Sequence, residues 1–114
     1  MKKPKKVLIG TVPHRIVYDH KIVNKAVGHT DALGVSLHKK QLIAIDERQN
    51  KEMMEETLFH EVLHCLFFCN GITAPIVKEK LLDHAEEALV SAISPAVQRF
   101  FLENPKFRRY LFGD

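Results

Sequence analysis

Apolar residues fall into short runs over the first part of the chain and take up helical spacing after Asn50. Val7-Leu8-Ile9-Gly10 and Arg15-Ile16-Val17-Tyr18 favour β structure. Between them, Pro13 predicts a break, giving two strands or one bent strand. Asp19 to Asp31 is polar and mixed, with a loop at Gly28-His29-Thr30-Asp31. Leu33-Gly34-Val35-Ser36-Leu37 and Gln41-Leu42-Ile43-Ala44-Ile45-Asp46 flank His38-Lys39-Lys40 as the arms of a hairpin.

A long helix follows, with Asp46 or Asn50 as N-cap and Glu52, Glu55 and Glu56 near its positive end. It should run to Cys69, because Asn70-Gly71 supplies residues that accept a left-handed C-cap. Leu58, Phe59, Val62, Leu63, Leu66, Phe67 and Phe68 make it apolar nearly all the way round, the pattern of a buried helix. Ile76 to Ser94 reads as a second helix. Ser94-Pro95 resembles an N-cap followed by proline at the first helical position, so a third helix or a kinked continuation covers Ala96 to Glu103. Asn104-Pro105 repeats the signal before a last short helix through Leu111. The expected fold is α+β, with a small N-terminal sheet packed on a central helix and two or three further helices after it.

The chain of 114 residues is expected to form one domain. Hydrophobic and charged fractions of 46% and 27% are those of an ordinary globular protein. Much of the net charge of +3 sits in Lys2, Lys3, Lys5 and Lys6, expected as a solvated, disordered basic end over residues 1–6 rather than a nucleic-acid contact. No run approaches the roughly 18 apolar residues of a membrane span, and no apolar stretch follows the lysines as in a signal peptide. A cytoplasmic location is expected. Cys65 and Cys69, four apart on one helix, read as free buried thiols.

Chemistry concentrates at His60-Glu61-Val62-Leu63-His64. Residues four apart lie one turn apart on one helix face, so both imidazoles can reach a single tetrahedral cation. Glu61 stands beside them as a general base for an attacking water. Burying two histidines and a glutamate without partners would cost several kcal/mol, on the order of the penalty for unpaired polar groups. A metal removes that cost. Zinc is expected from its tetrahedral preference, although the same ligands suit other first-row metals.

A catalytic zinc takes three protein ligands plus water. The extended HExxHxxGxxH pattern is absent, because Phe67 and Asn70 occupy its glycine and last histidine positions. The next helix offers Asp83, His84, Glu86 and Glu87. Leu82, Leu89 and Ile93 form an apolar face nearest Glu86, whereas Glu87 shares a face with Val90 and Ser94. Spacing leaves Glu86 and Glu87 both open. His84 or His29 could serve as an additional donor to a developing oxyanion, and His14, His20 and His38 are expected on the solvated surface.

Leu42-Ile43-Ala44-Ile45-Asp46, the motif stretch from Thr57 to His64, Glu87 with Val90 and Ile93, and Glu103-Asn104-Pro105 occur in an order that resembles the small HExxH zincins of bacteriophages and prophages. The likeness extends more distantly to repressor-cleaving metallopeptidase domains. It covers about Gly28 to Pro105, with its specificity in the HExxH segment. The resemblance implies a zinc metallopeptidase of minimal zincin fold. It favours Glu87 as third ligand, with Glu86, followed by Leu89 and Ala92, as the alternative. The expected site is thus Zn2+ held by His60, His64 and Glu87, with Glu61 as catalytic base acting on a peptide or protein substrate. A metal-dependent RNA hydrolase of the kind with histidines four apart is the first rival. It carries glycine after the first histidine and a third histidine six beyond the second, where this chain has Glu61 and Asn70. The second is a non-catalytic, metal-stabilised binding protein of phage origin. It would use the basic end or the aromatics Phe100, Phe101, Phe107, Tyr110 and Phe112, which are otherwise expected as core or a C-terminal lid.

Overall fold

The computed structural model describes residues 3–9, 11–70 and 85–113. Its architecture is α+β, a four-stranded sheet and four helices among the described residues. Strands β1 (Lys6–Ile9) and β2 (Val12–Tyr18) lead into helix α1 (His20–Val27). Then come β3 (Gly34–Leu37), a 3-10 turn (His38–Lys40) and β4 (Leu42–Ile45). Helices α2 (Lys51–Cys69), α3 (Ala85–Glu103) and α4 (Pro105–Phe112) complete the order. No described helix is long and apolar enough to cross a membrane.

The sheet order is β1-β2-β4-β3, with β2 and β4 parallel and both outer pairs antiparallel. The expected break at Pro13 does not occur, since Pro13 lies inside β2 opposite Leu8. The β2–β4 register begins at Arg15, so at Pro13 the strand has β1 as its sole neighbour and a residue without N–H is tolerated. From Pro4 onward the basic end touches β2, and residues 1–2 lie outside the described residues. The Tyr18 hydroxyl donates to the Pro4 carbonyl at 2.7 Å, Ile16 N–H donates to the Lys5 carbonyl, and Lys6 opens β1.

Helix α1 stands where a mixed polar stretch was expected. Asp19 caps it by accepting from Lys21 N–H, and Gly28, at φ 81°, closes it in left-handed geometry. Val23 is its one fully buried apolar residue, although Ile22, Val23, Ala26 and Val27 recur at helical spacing. α1 packs on β3 and β4 while α2 packs on β1, β3 and β4, so β4 is buried along its whole length. Ile9, Ile16, Ile43 and Ile45 form the core with Cys65 of α2. Against these, α2 is half-buried rather than enclosed, and Phe68 is largely exposed.

Asn50 is the N-cap of α2, accepting from Met53 N–H at 2.8 Å. At the other end Asn70 has φ −99°, so the left-handed cap is not on Asn70, and Gly71 lies outside the described residues. The same holds for the expected helix from Ile76 as far as His84. Ser94-Pro95 does not start a helix, because α3 runs unbroken from Ala85 to Glu103 with Pro95 inside it. Val90 and Ser94 are buried on its α2-facing stripe, and that packing outweighs the hydrogen bond lost at proline. Leu89 and Ile93, one position earlier, are exposed.

Candidate metal centre

Helix α2 sets His60 and His64 one turn apart, with their Nε2 atoms 3.3 Å from each other. From α3, Glu87 spans both rings, Oε1 2.8 Å from His60 Nε2 and Oε2 2.7 Å from His64 Nε2. These three residues offer ligand atoms that all lie within 4.8 Å of one another. Around a tetrahedral zinc with bonds of about 2.0–2.1 Å, ligand atoms stand about 3.3–3.4 Å apart. The two imidazole nitrogens already have that spacing, and the carboxylate oxygens need to retreat by only about 0.5 Å to reach it. The donor set, two imidazoles and one carboxylate, fits zinc.

The neighbouring Glu86 reaches a different atom, its Oε1 2.7 Å from His64 Nδ1. A carboxylate behind a ligating imidazole holds the ring's tautomer and orientation. Consecutive glutamates on one helix point in different directions, so one spans the Nε2 pair while the other backs His64. Burial disfavours a charged His64 ring, but the Glu86 hydrogen bond and the Glu61 and Glu87 charges outweigh it and push the pKa up.

Glu61 is buried at 7% exposure. The Ser36 hydroxyl on β3 lies 2.7 Å from Glu61 Oε1 and 3.0 Å from its carbonyl oxygen, able to donate to either. Burial raises the Glu61 pKa, while the Ser36 hydrogen bond and the charges of His64 and His60 act in the opposite direction. β3 comes this close because Gly34 has no side chain. A Cβ there would meet Thr57 Cγ2 at 2.8 Å and Glu61 Cγ at 3.2 Å. Neither Ser36 nor Gly34 was singled out from the sequence, and a strand ahead of the motif carries no spacing signal toward a helix that follows it.

A cleft of about 450 Å3 opens beside the centre, bounded by α2, α3 and the residues leading into β3. His60, Glu61 and Glu87 line one end of it. His29 is exposed and outside the cleft lining, accepting from Asp31 N–H, and His84 lies outside the described residues. The remaining histidines correct the surface expectation. His14 is buried at 2% exposure with Nδ1 3.1 Å from the Val12 carbonyl. His38 stacks on Phe68, ring centroids 4.3 Å apart, and burial lowers its pKa. His20 is half-buried against Glu47, which accepts from its N–H at 2.6 Å and meets its Nδ1. Asp19, His20 and Glu47 form a second group of possible donors, but Asp19 is engaged as the α1 cap and Glu47 by His20.

Cys65 is buried and its thiol is pushed up to about 11, first by that burial, so it is an inert part of the core. Cys69 is exposed rather than buried, and neither cysteine joins a donor group among the described residues. The C-terminal aromatics are not core, with Phe107, Tyr110 and Phe112 exposed at 46%, 78% and 70%. No protein-family model, curated protein or solved structure matches the chain.

Proposed function

We propose that the protein is a zinc-dependent metallopeptidase of the small HExxH kind its motif resembles. The observation that carries this is the convergence of His60, His64 and Glu87 at one end of an open cleft, with the buried Glu61 carboxylate beside them. Bound by those three residues, zinc would supply a Lewis acid that lowers the pKa of a water and polarises a carbonyl. Glu61 takes the proton of the attacking water and delivers it to the leaving amine as the peptide bond breaks. Ser36 occupies Oε1, which leaves Oε2 for that proton. Glu86 keeps the His64 ring turned so that Nε2 faces the centre.

The test is zinc content by elemental analysis together with hydrolysis of a mixed-sequence peptide pool. About one zinc per chain is expected, lost in His60→Ala and kept in Glu61→Gln, whose hydrolysis falls by about 10²–10⁴. Failure to take up zinc, or full hydrolysis by Glu61→Gln, would sink the proposal. Exposure of Leu102, Tyr110 and Phe112 favours a second role, binding of a partner by the C-terminal helices. If Glu61→Gln left the biological function intact, binding rather than hydrolysis would be the primary activity.

A further inference from the structure

The cleft beside the metal centre contains acceptors that nothing described uses. Ser94 is 3% exposed, yet its hydroxyl lines the cleft and makes no hydrogen bond with any described residue. One turn earlier, the Ser91 carbonyl lacks its usual helical donor, because residue 95 is a proline with no N–H. Ser91 and Pro95 line the same cleft. Across from them on α2, the Glu56 carboxylate borders the cleft without an ion pair or hydrogen bond to a described residue. Leu33, Ala32 and Pro95 supply apolar lining in the same cleft.

These features select against two kinds of occupant. An apolar side chain would strip water from the Ser94 hydroxyl and leave it unpaired, which offsets much of what the burial contributes. An acidic one would meet the Glu56 charge, which lies one helical turn before His60 on α2. A long cationic side chain meets neither objection, because its methylene stem can lie on the apolar wall while its head reaches the acceptors. The chain as a whole carries a net +3, so this acidic character is local. Glu56 also lines an adjoining pocket on the same helices, together with Glu52, Glu55 and Arg99.

We propose that the cleft takes a lysine or arginine side chain of the peptide substrate, with Glu56 as counter-charge and the Ser94 hydroxyl and Ser91 carbonyl accepting its N–H groups. This inference rests on the peptidase reading and adds to it a substrate class. The ion pair sets which residue lies beside the scissile bond, and leaves the chemistry to Glu61.

The test uses zinc-loaded Glu61→Gln protein and fluorescein-labelled hexapeptides in which one position at a time is Lys, Arg, Gln, Met or Glu, with binding read by fluorescence anisotropy. At one position, Lys and Arg peptides are expected to bind about fivefold more tightly than the others, the upper end for a partly exposed ion pair. Adding Glu56→Gln, an exposed change that spares the fold, should bring that preference within about twofold and leave the Gln peptide unaffected. No basic preference at any position, or a preference that survives Glu56→Gln, would overturn the inference. Wild-type protein on the same peptides, with products read by mass spectrometry, separates the two claims. Cleavage without basic preference sinks the substrate class and spares the peptidase; neither cleavage nor binding sinks both.

Discussion

Glu86 Oε1 and His64 Nδ1 stand 2.7 Å apart, on the opposite ring nitrogen from the one that meets His60 and Glu87. Adjacent glutamates therefore divide two tasks, one completing the donor set and one holding a donor in place. Glu87→Gln is expected to abolish stoichiometric zinc binding. Glu86→Gln should still bind one zinc at saturation, with affinity lowered by about 10–100-fold in competition with a chelator. The reverse pattern would exchange their roles.

Ser36 is the one described side chain that hydrogen-bonds the Glu61 carboxylate, from a strand the motif does not include. Ser36→Ala leaves a buried acceptor unpaired and should cost about 1–3 kcal/mol in denaturant unfolding. Zinc content should be unchanged and turnover reduced. The hydroxyl opposes the rise in Glu61 pKa caused by burial. Its removal lets that pKa climb further, so the acid limb of the activity profile should move to higher pH. An unmoved limb would show that Ser36 does not act on the carboxylate.

Gly34 is required by close approach rather than by an unusual backbone angle. Alanine there would press on Thr57 Cγ2 at 2.8 Å and on Glu61 Cγ and Ile45 Cδ1 at 3.2 Å each. Overpacking of this kind costs about 1–3 kcal/mol, offset in part by the reduced entropy of the unfolded chain. A clear fall in the thermal midpoint of Gly34→Ala is expected, and a midpoint at or above that of wild type would contradict the packing described.

The link from β4 to α2 carries an acid-sensitive contact. Arg48 hydrogen-bonds the Asp46 carboxylate through Nε at 3.0 Å and through a terminal nitrogen at 2.7 Å. These bonds outweigh burial and hold Asp46 down from 3.8 to about 2. A folded pKa below the unfolded one stabilises the fold above the unfolded value, and the benefit is lost as pH falls from 3.8 through about 2. Asp46→Asn should therefore be less stable than wild type at neutral pH, with the gap closing across that window. Urea unfolding of metal-free protein at several pH values measures it, and a gap independent of pH would rule out the linkage.

Where local chemistry decides the outcome, the sequence was sufficient. His60 and His64 share a face because helical geometry requires it once the run from Lys51 to Cys69 is helical, and Asn50 caps that run with its own side chain. The β3–β4 hairpin follows from two β-favouring runs flanking a short polar turn. The choice between Glu86 and Glu87 was not local, because both occupy plausible positions on α3. Spacing alone could not say which stripe of α3 meets α2, and the more apolar Leu89 and Ile93 turned out exposed while Val90 and Ser94 went inward. Helix α1 was missed although Ile22, Val23, Ala26 and Val27 recur at helical spacing, because eight residues are too few to hold a helix without the surface that β3 and β4 supply. His14 became buried, and His38 half-buried, for the same reason: strand pairing for one and stacking on Phe68 for the other bring in groups distant in the chain. Ser36, Gly34 and the unused acceptor of Ser94 matter through what packs against them. Residue identity and spacing determined which groups were available to the centre; only the packing of α2 between the sheet and α3 decided which of them meet, since those contacts join segments that no local pattern connects.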